Sequence, residues 1–397
     1  MYSKYIVLPK GLSYSSIFSV KPEPVMTLWY TLHSVVDYRR GQGRRHDLPT
    51  LLTLAILALC SGSTSYLAMQ EWCENYQKRI KEQVPFLAGH MPNSATFHRV
   101  FANLDVIAFE EIIGNWLQAI TPLEKGEGIG LDGKSLHGTN LHLVSAFAHL
   151  ARAVLFEQGT DIKGKELVVG PEVLTHITIK DRVVTGDALF AQRSLCEQIK
   201  TAKGGYVFRV KGNQDTLEKN IRLFFNDPPF QANILKAETI DRWKGVKEIR
   251  EVCVSDEPEL LAYLSWPGLT HVWEMKKTVT KNGETITTVS VGIAGIPAGI
   301  MGEEKPAAQI CGYIRGHWGI ENRLHRQRDV VFNEDKSTIR TGHAPQTMAI
   351  LKNIVTSIFH RGAVRNFKSA MRKFAADPEE LFQFLGLSQI AQAGVYA

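Results

Sequence analysis

Two short apolar runs that each end at an aspartate constrain this chain most strongly. The run "GIGLD" reaches Asp132, and the run "RVVTGD" reaches Asp187. Apolar runs of this length bounded by turn residues are typical of buried strands. In open α/β sheets the carboxyl ends of such strands form the edge at which ligands bind. We therefore expect both carboxylates at one edge of a sheet.

The pattern around these runs predicts a mixed α/β sheet. Short apolar runs at 128–136, 142–150 and 151–159 indicate three strands, and further strands at 182–189 and 205–212 alternate with helices. Three strands followed by alternating helices and strands describe a mixed sheet. In the RNase H-like order the first and fourth strands are neighbours, so the two aspartates can stand side by side.

The rest of the chain divides into segments of different pattern. From the N-terminus we predict an irregular arm, a small all-helical domain that binds DNA, the first part of an RNase H-like core, a β-rich insertion, the helical part of the core and a basic tail helix. Their boundaries are 1–30, 31–125, 126–212, 213–305, 306–360 and 361–397. Within the insertion, Asn282-Gly283 between alternating runs predicts a two-residue hairpin.

Composition places the chain among globular proteins. Of its residues, 44% are hydrophobic and 22% are charged, and the net charge is +6, as in soluble globular proteins. The length of 397 residues predicts two or three packing units. The five cysteines are scattered and form no CxxC pair, so we expect reduced thiols rather than disulfides or zinc. The most apolar run, 48–60, is shorter than the roughly 20 residues of a membrane span. Without a signal peptide pattern, these features predict a cytoplasmic protein with no membrane partner.

A third acid, Glu321, lies within the predicted helix "RGHWGIENRLHRQRD" (315–329). Helical spacing would place His317, His325 and Arg328 on the same face as this glutamate. Two nearby carboxylates repel each other, and a divalent cation removes that penalty. We therefore predict that Glu321 completes a metal site while the neighbouring cationic side chains hold phosphates.

Each acid taken singly has an ordinary structural explanation. Asp132 precedes glycine and can be a turn former. Asp187 can cap a helix, and Glu321 can be a surface glutamate. The order and spacing of all three acids favour the metal site.

Five ordered motifs resemble those of the H-repeat-associated branch of the DDE transposases of insertion sequences: "IGLDGKSL", "LHLVSAFA", "VVTGDALFAQ", "GGYVFRVKGNQ" and "RGHWGIENRLH". The similarity extends from about residue 35 to 375. It implies an RNase H-like core in which Asp132, Asp187 and Glu321 are catalytic and bind two divalent ions, Mg²⁺ or Mn²⁺. It also implies DNA cleavage by water followed by strand transfer, in a cut-and-paste route that can pass through hairpin ends.

The chain departs from the patterns of related families at several positions. Those families carry a Tyr–Arg–Glu–Lys signature, whose tyrosine, arginine and lysine slots hold Ile314, His317 and Arg328 here, with Tyr313 one residue away. Arg326 stands where this branch has a tryptophan. These departures leave the metal site intact and bear on how DNA is positioned.

Clustered basic side chains predict where DNA binds. One cluster is the loop 39–46, and a second is a helical stripe in 361–372. The alternative for any such run is a solvated face. We assign to DNA Arg39, Arg40, Arg44, Arg45, Lys134, Lys211, Arg315, His317, His325, Arg328, Arg361, Arg365, Lys368 and Arg372.

Three tryptophans of the insertion have two interpretations. Trp243, Trp266 and Trp273 either stack on a flipped base or form the core of the insertion. The resemblance further implies that the partners are double-stranded DNA of element ends and target, that a homodimer assembles on DNA, and that the protein works at the bacterial nucleoid. Two alternatives stay open: an RNase H-fold nuclease without strand transfer, and a non-catalytic DNA-binding relic.

Overall fold

The computed structural model describes residues 24–41, 44–83, 89–161, 166–301 and 305–387. The predicted arm covers residues 1–30, and its residues 1–23 lie outside the described residues. Residues 24–30 belong to a helix instead, because a proline such as Pro24 suits the first turn of a helix. The N-terminal helices are α1 (Pro24–Leu32), α2 (Leu48–Cys60), α3 (Tyr66–Gln83), α4 (Ser94–Ala102) and α5 (Val106–Ile120).

Helix α2 is the central helix of this region. Every residue from Leu48 to Cys60 is buried, as expected for a helix that is apolar on all sides. Asp47 begins it, because its side chain accepts a hydrogen bond of 3.0 Å from the backbone N–H of Thr50. Such a cap satisfies one of the N–H groups left without a partner in the first turn.

The sheet begins with five strands in the RNase H-like arrangement. These are β1 (Gly128–Ser135), β2 (His142–Ala148), β3 (Val154–Thr160), β4 (Val183–Gly186) and β5 (Gly205–Val210). Their spatial order is β3-β2-β1-β4-β5, with β1 and β4 parallel and β1 and β2 antiparallel. The predicted mixed sheet, with its first and fourth strands as neighbours, is confirmed.

Two helices cover one face of these strands. They are α6 (Glu166–Thr175) and α7 (Arg193–Thr201). Val173 of α6 and Leu195 of α7 pack with Ile129 of β1 in one apolar cluster. That packing positions the strands that carry the predicted acids.

The β-rich insertion continues the same sheet instead of forming a separate layer. It contains α8 (Asp215–Asn226), β6 (Ile234–Trp243), β7 (Val246–Ser255), α9 (Pro258–Leu264), β8 (His271–Lys281) and β9 (Glu284–Gly295). Strand β9 pairs antiparallel with β5, so the strands of the described residues form one nine-stranded sheet. The hairpin predicted at Asn282-Gly283 is confirmed: both residues have positive φ, 51° and 85°, as a type I′ turn requires.

The C-terminal part of the described chain is helical. It contains α10 (Pro306–Ile320), two π-helical turns at 321–325 and 327–331, α11 (Ala344–Arg361), α12 (Phe367–Ala376) and α13 (Pro378–Phe384). Leu28, Phe101, Ile350 and Phe367 belong to one apolar cluster. The N-terminal helices therefore share a core with α11 and α12.

The predictions about cysteines and about membrane-spanning helices can be compared with the described residues. All five cysteines are free thiols. No helix among the described segments has the length and apolar character that crossing a membrane would need.

Candidate active site

Asp132 and Asp187 follow paired positions on two neighbouring parallel strands. The last pair of the β1–β4 ladder is Leu131 with Gly186, so the next residue on each strand is an aspartate. Neighbouring strands lie about 4.8 Å apart, which brings the two backbones side by side. The exposed Asp187 precedes a single 3₁₀ turn but makes no capping hydrogen bond. It therefore occupies a cap position without acting as a cap.

Asp132 lies inside a strand and not in a turn. β1 continues to Ser135, and Asp132 faces Ser145 of β2. Its Oδ1 accepts a hydrogen bond of 2.9 Å from the N–H of Gly133. The turn-former interpretation of this residue is therefore wrong.

The third predicted acid reaches the same place from the helical part of the core. Asp132, Glu321 and His325 each offer one ligand atom, and these three atoms lie within 4.8 Å of one another. Nε2 of His325 is 3.3 Å from Oδ2 of Asp132. Asp187 is not part of this three-residue group.

The helix that carries Glu321 changes its type at that residue. α10 is α-helical to Ile320, whereas Glu321–His325 and Gln327–Val331 are π-helical turns. Their hydrogen bonds run from residue i to i+5, and such turns are frequent at functional sites. The prediction of a uniform α-helical face over 315–329 is therefore wrong after Ile320.

Two glycines allow α10 to approach β1 closely. A Cβ added at Gly128 or at Gly316 would collide with the ring of His149. His149 Nε2 lies 3.0 Å from Oγ1 of Thr185, which in turn lies 3.2 Å from Nδ1 of His317. Gly316, which weakens the helix, thus makes room for a chain of polar contacts between β4 and α10. No role is predicted for His149 from the sequence, and the glycines at 128 and 316 are the features that could have indicated this close approach.

The pKa shifts at this edge follow from burial and from the clustered charges. Burial acts to raise the pKa of Asp132, but the rings of His325 and His317 hold it below its usual value. Burial lowers the pKa of His317 even though Asp132, Asp187 and Glu321 each act to raise it. All three predicted acids therefore lie close enough to act on one imidazole.

Arg328 is buried in the core instead of facing DNA, and that assignment is corrected. It is fully buried, with Nη1 2.7 Å from Oε2 of Glu157 and Nε 2.8 Å from Oε2 of Glu334. Lys352 lies 3.0 Å from the other oxygen of Glu334. Seven residues make nearly two turns of an α-helix but only about one and a half turns of the wider π-helix. The residue seven after Glu321 therefore turns into the core and away from the site.

A third buried acid extends this network to the N-terminal helices. Glu110 of α5 accepts a hydrogen bond of 3.0 Å from the backbone N–H of Glu157 in β3. Burial and the charge of Glu157 raise the pKa of Glu110 well above its usual value. These acids escaped the sequence analysis because they lie far apart in the chain.

Other predicted DNA residues near the site have protein partners. Lys134 is largely buried in an ion pair with Asp329, and Arg315 pairs with Asp241. His325 is only 4% exposed. A phosphate contact at Lys134 or His325 would need the present contacts to be broken, whereas the side chain of Arg315 is 47% exposed in its ion pair. Lys211, beside the same edge, is exposed.

The arginines of the basic loop differ in whether they contact the loop itself. Arg39 forms an ion pair of 2.8 Å with Asp37, and Arg44 donates hydrogen bonds of 2.7 Å to the carbonyl oxygens of Arg39 and Asp37. Arg40 and Arg45 are exposed. Two of the four predicted arginines therefore shape the loop itself.

The predicted basic stripe of 361–372 is not one helix, and this prediction is wrong. Helix α11 ends at Arg361, which donates to the carbonyl oxygen of Ile120. Helix α12 begins after Asn366, whose side chain accepts from the N–H of Ser369. The cap sets a new helix direction between the first half of the stripe and the second. Three of its four cations are exposed outside α11: Arg365, Lys368 and Arg372.

A groove of about 1010 Å³ lies between α10 and the strands β6 and β7. Trp243 and Trp318 line it and are 46% and 51% exposed. Arg242 and Arg323 also line it. In contrast, Trp266 and Trp273 are buried, so the core interpretation holds for those two and base stacking is excluded.

Comparison with known proteins identifies the family. The family described as "Transposase DDE domain" matches residues 119–358, and the one described as "DDE_Tnp_1-associated" matches residues 29–117. The first match spans more than half of the chain. This chain therefore belongs to the DDE transposase family.

Relatives of similar length support the H-repeat-associated branch. The H repeat-associated putative transposase YhhI of Escherichia coli (strain K12) is 29% identical over 384 residues, 90% of this chain and 97% of the relative. The putative transposase YncI of Escherichia coli O157:H7 is 29% identical over 343 residues, 82% of this chain and 85% of the relative. Their names confirm the resemblance seen in the five motifs.

One solved structure aligns with much of the chain. The cryo-EM structure of a piggyBac transposase synaptic complex with hairpin DNA has a TM-score of 0.45 and 10% sequence identity. The alignment covers 94% of this chain and 83% of that one. A likeness of this size carries no argument about fold or function.

Proposed function

We propose that this chain is a metal-dependent DNA transposase whose catalytic residues are Asp132, Asp187 and Glu321. One observation carries the proposal. Glu321, from the helical part of the core, approaches Asp132 to within 4.8 Å between ligand atoms, while Asp187 follows the adjacent register position on β4. The order of these acids along the chain is the one that the family's name describes.

The donor set fits a divalent cation. Asp132 and Glu321 supply carboxylate oxygens, and the buried ring of His325 is aimed at the same point. Hard cations such as Mg²⁺ take oxygen ligands and keep several waters. Two such ions, Mg²⁺ or Mn²⁺, would supply activation of water and stabilisation of the leaving oxygen in an in-line displacement at phosphorus.

The residues of the chain would position the DNA and the acids. The His149–Thr185–His317 contacts hold α10 against β4, which keeps Glu321 in line with β1. The Arg328 network fixes the π-helical turns from the opposite side. Catalysis of this kind needs groups held in place before the reaction, and both sets of contacts serve that need.

Exposed cations are the proposed phosphate contacts. Two lie in the loop 39–46, one follows β5, and three lie in or just before α12. Contacts of this kind position DNA without reading its sequence and make affinity fall with salt. The proposed set is Arg40, Arg45, Lys211, Arg365, Lys368 and Arg372.

The groove beside α10 would hold unpaired nucleotides near the cleavage site. Bases stack on exposed aromatic rings with about 1–3 kcal/mol each. Nζ of Lys277 lies 5.3 Å from the ring centroid of Trp318, and Arg242 and Arg323 make the groove cationic. This assigns the stacking role to Trp243 and Trp318.

The proposed route is cut-and-paste: water cleaves at the element ends, and the freed 3′-hydroxyl then attacks target DNA. The partners are the element ends and the target, bound by a homodimer at the bacterial nucleoid. Cleavage without joining would instead identify a nuclease, and end binding without cleavage would identify a relic.

A cleavage assay tests the proposal. The substrate is a duplex that carries the DNA bordering this chain's gene, incubated with Mg²⁺ or Mn²⁺. We expect nicks at the element ends, abolished by Asp187→Asn and Glu321→Gln, while both variants still bind the duplex. Asp227→Asn, at an exposed position after α8, is the matched control and should cleave normally. Binding by the wild type without any cleavage would refute the proposal.

A second arm separates transposase from nuclease. A pre-cleaved end with a free 3′-hydroxyl is mixed with a supercoiled target plasmid. We expect covalent joining of the end to the plasmid. Nicking in the first assay with no joined product here would show that the chain cuts without strand transfer. Cleavage products with open ends and no hairpins would exclude the hairpin route.

A further inference from the structure

We propose that His325 is a direct ligand of a divalent cation at this site, completing a set of two oxygens and one nitrogen with Asp132 and Glu321. The inference rests on the proposed function, because the cation is the one that cleavage requires. It goes further by adding a residue outside the three acids and by setting the preference among metals.

The first support is the unusual state of the His325 ring. The ring is 4% exposed, and neither of its nitrogens has a partner with hydrogen-bond geometry in the described segments, although Nε2 lies 3.3 Å from Oδ2 of Asp132. Buried polar atoms nearly always have partners, and an exception calls for an ion or a ligand. A bound cation would supply the missing partner for one of the two nitrogens.

The other buried histidines of the described residues behave differently. His142 lies with Nδ1 2.7 Å from Oγ of Ser135, and His149 with Nε2 3.0 Å from Oγ1 of Thr185. Both are satisfied by protein groups. His325 is thus the exception among three buried rings in those segments.

The second support is the direction in which His325 points. Nε2 lies 3.3 Å from Oδ2 of Asp132, and an oxygen of Glu321 joins them within 4.8 Å. Ligand atoms that share one cation at about 2.1 Å from each are separated by about 3–4 Å. The group therefore needs only a small contraction to surround an ion.

The four-residue spacing of Glu321 and His325 explains why two residues of one helix reach the same point. In the π-helical turn the N–H of Arg326 donates to the carbonyl oxygen of Glu321. Positions four apart fall nearly in line along an α-helix and also along the wider π-helix. Glu321 and His325 therefore both face β1.

A nitrogen ligand has a consequence for metal preference. Mg²⁺ favours oxygen ligands, whereas imidazole suits transition metals. His325→Gln should therefore weaken Mn²⁺ binding by about tenfold or more, the size of change seen when groups that support a metal site are lost. Mg²⁺ affinity should change by no more than about threefold, because the two carboxylates remain.

Electron spin-echo spectroscopy of bound Mn²⁺ provides the direct test. In the wild type we expect modulation from a coordinated ¹⁴N, which changes to the ¹⁵N pattern when the protein is grown with ¹⁵N-histidine. This labelling needs no substitution and works even if a variant fails to fold. His325→Gln should lose the modulation, and His317→Gln, beside the same acids, should keep it.

The outcomes separate the inference from the proposed function. Mn²⁺ bound through Asp132 and Glu321 with no nitrogen modulation would overturn the role of His325 and leave the transposase proposal standing. Modulation lost in His317→Gln but kept in His325→Gln would also overturn it. If substitution of Asp132 and Glu321 left Mn²⁺ binding unchanged, both the role of His325 and the transposase proposal would be overturned.

Discussion

Replacing Arg328 by methionine should destabilise the fold strongly, although the residue lies beyond the proposed catalytic acids. The guanidinium is 0% exposed, and its partners Glu157 and Glu334 are 1% and 5% exposed. Methionine fills similar space but leaves both carboxylates without their cation. Removing one partner of a buried ion pair costs about 3–5 kcal/mol.

The pKa of Glu334 gives an independent magnitude. Burial acts to raise this pKa, but Arg328 and Lys352 lower it from 4.5 to about 2. A lowered carboxylate pKa stabilises the fold above the unfolded value, and that contribution is lost as pH falls from 4.5 through 2. The difference corresponds to roughly 3 kcal/mol at neutral pH. In Arg328→Met only Lys352 would stabilise the charged carboxylate of Glu334. The free energy of unfolding should therefore depend less on pH between 2 and 4.5.

Urea unfolding followed by tryptophan fluorescence at pH 7 measures the loss. Arg326→Met is the matched control, since Arg326 is exposed on the same π-helical segment, and surface changes usually stay within about 0.5 kcal/mol. Arg328→Lys should recover part of the loss, because lysine keeps the charge but not the forked contacts. A loss for Arg328→Met below about 1 kcal/mol would refute the network as a source of stability.

Three further predictions follow from single contacts. Glu110→Gln should stabilise the protein above pH 4.5, and its advantage in unfolding free energy should grow by about 1.4 kcal/mol per pH unit until the raised pKa is reached. The exposed Glu111→Gln should show no such growth. Gly316→Ala should push α10 away from His149 and cut the DNA cleavage rate by at least about tenfold in the gel assay, and unchanged cleavage would contradict the close packing. Arg45→Ala should weaken DNA binding at low salt and reduce the slope of log affinity against log salt by about 0.9, measured by fluorescence anisotropy; an unchanged slope would remove this arginine from the interface.

The sheet could be predicted from the sequence because its strands are marked locally. β1 and β4 are apolar runs that end at turn residues, and the hairpin at Asn282-Gly283 requires residue types that accept positive φ. These features depend on few neighbours. The register that sets Asp132 beside Asp187 then follows from the sheet order.

The helical part of the site could not be predicted from local sequence in the way that the strands could. Spacing by α-helical geometry placed Arg328 on the face of Glu321, but the helix widens where Glu157, distant in the chain, draws the arginine inward. A single-sequence pattern does not reveal such a partner. The basic stripe failed for a related reason, because regular spacing continued across the cap at Asn366.

Anomalous diffraction from a crystal soaked in Mn²⁺ tests the central claim most directly. We expect a peak between the carboxylates of Asp132 and Glu321, with the side chain of Asp187 turned towards it or towards a second peak. Ions bound only elsewhere, under conditions in which the protein cleaves DNA, would contradict the assignment of these acids as the metal site.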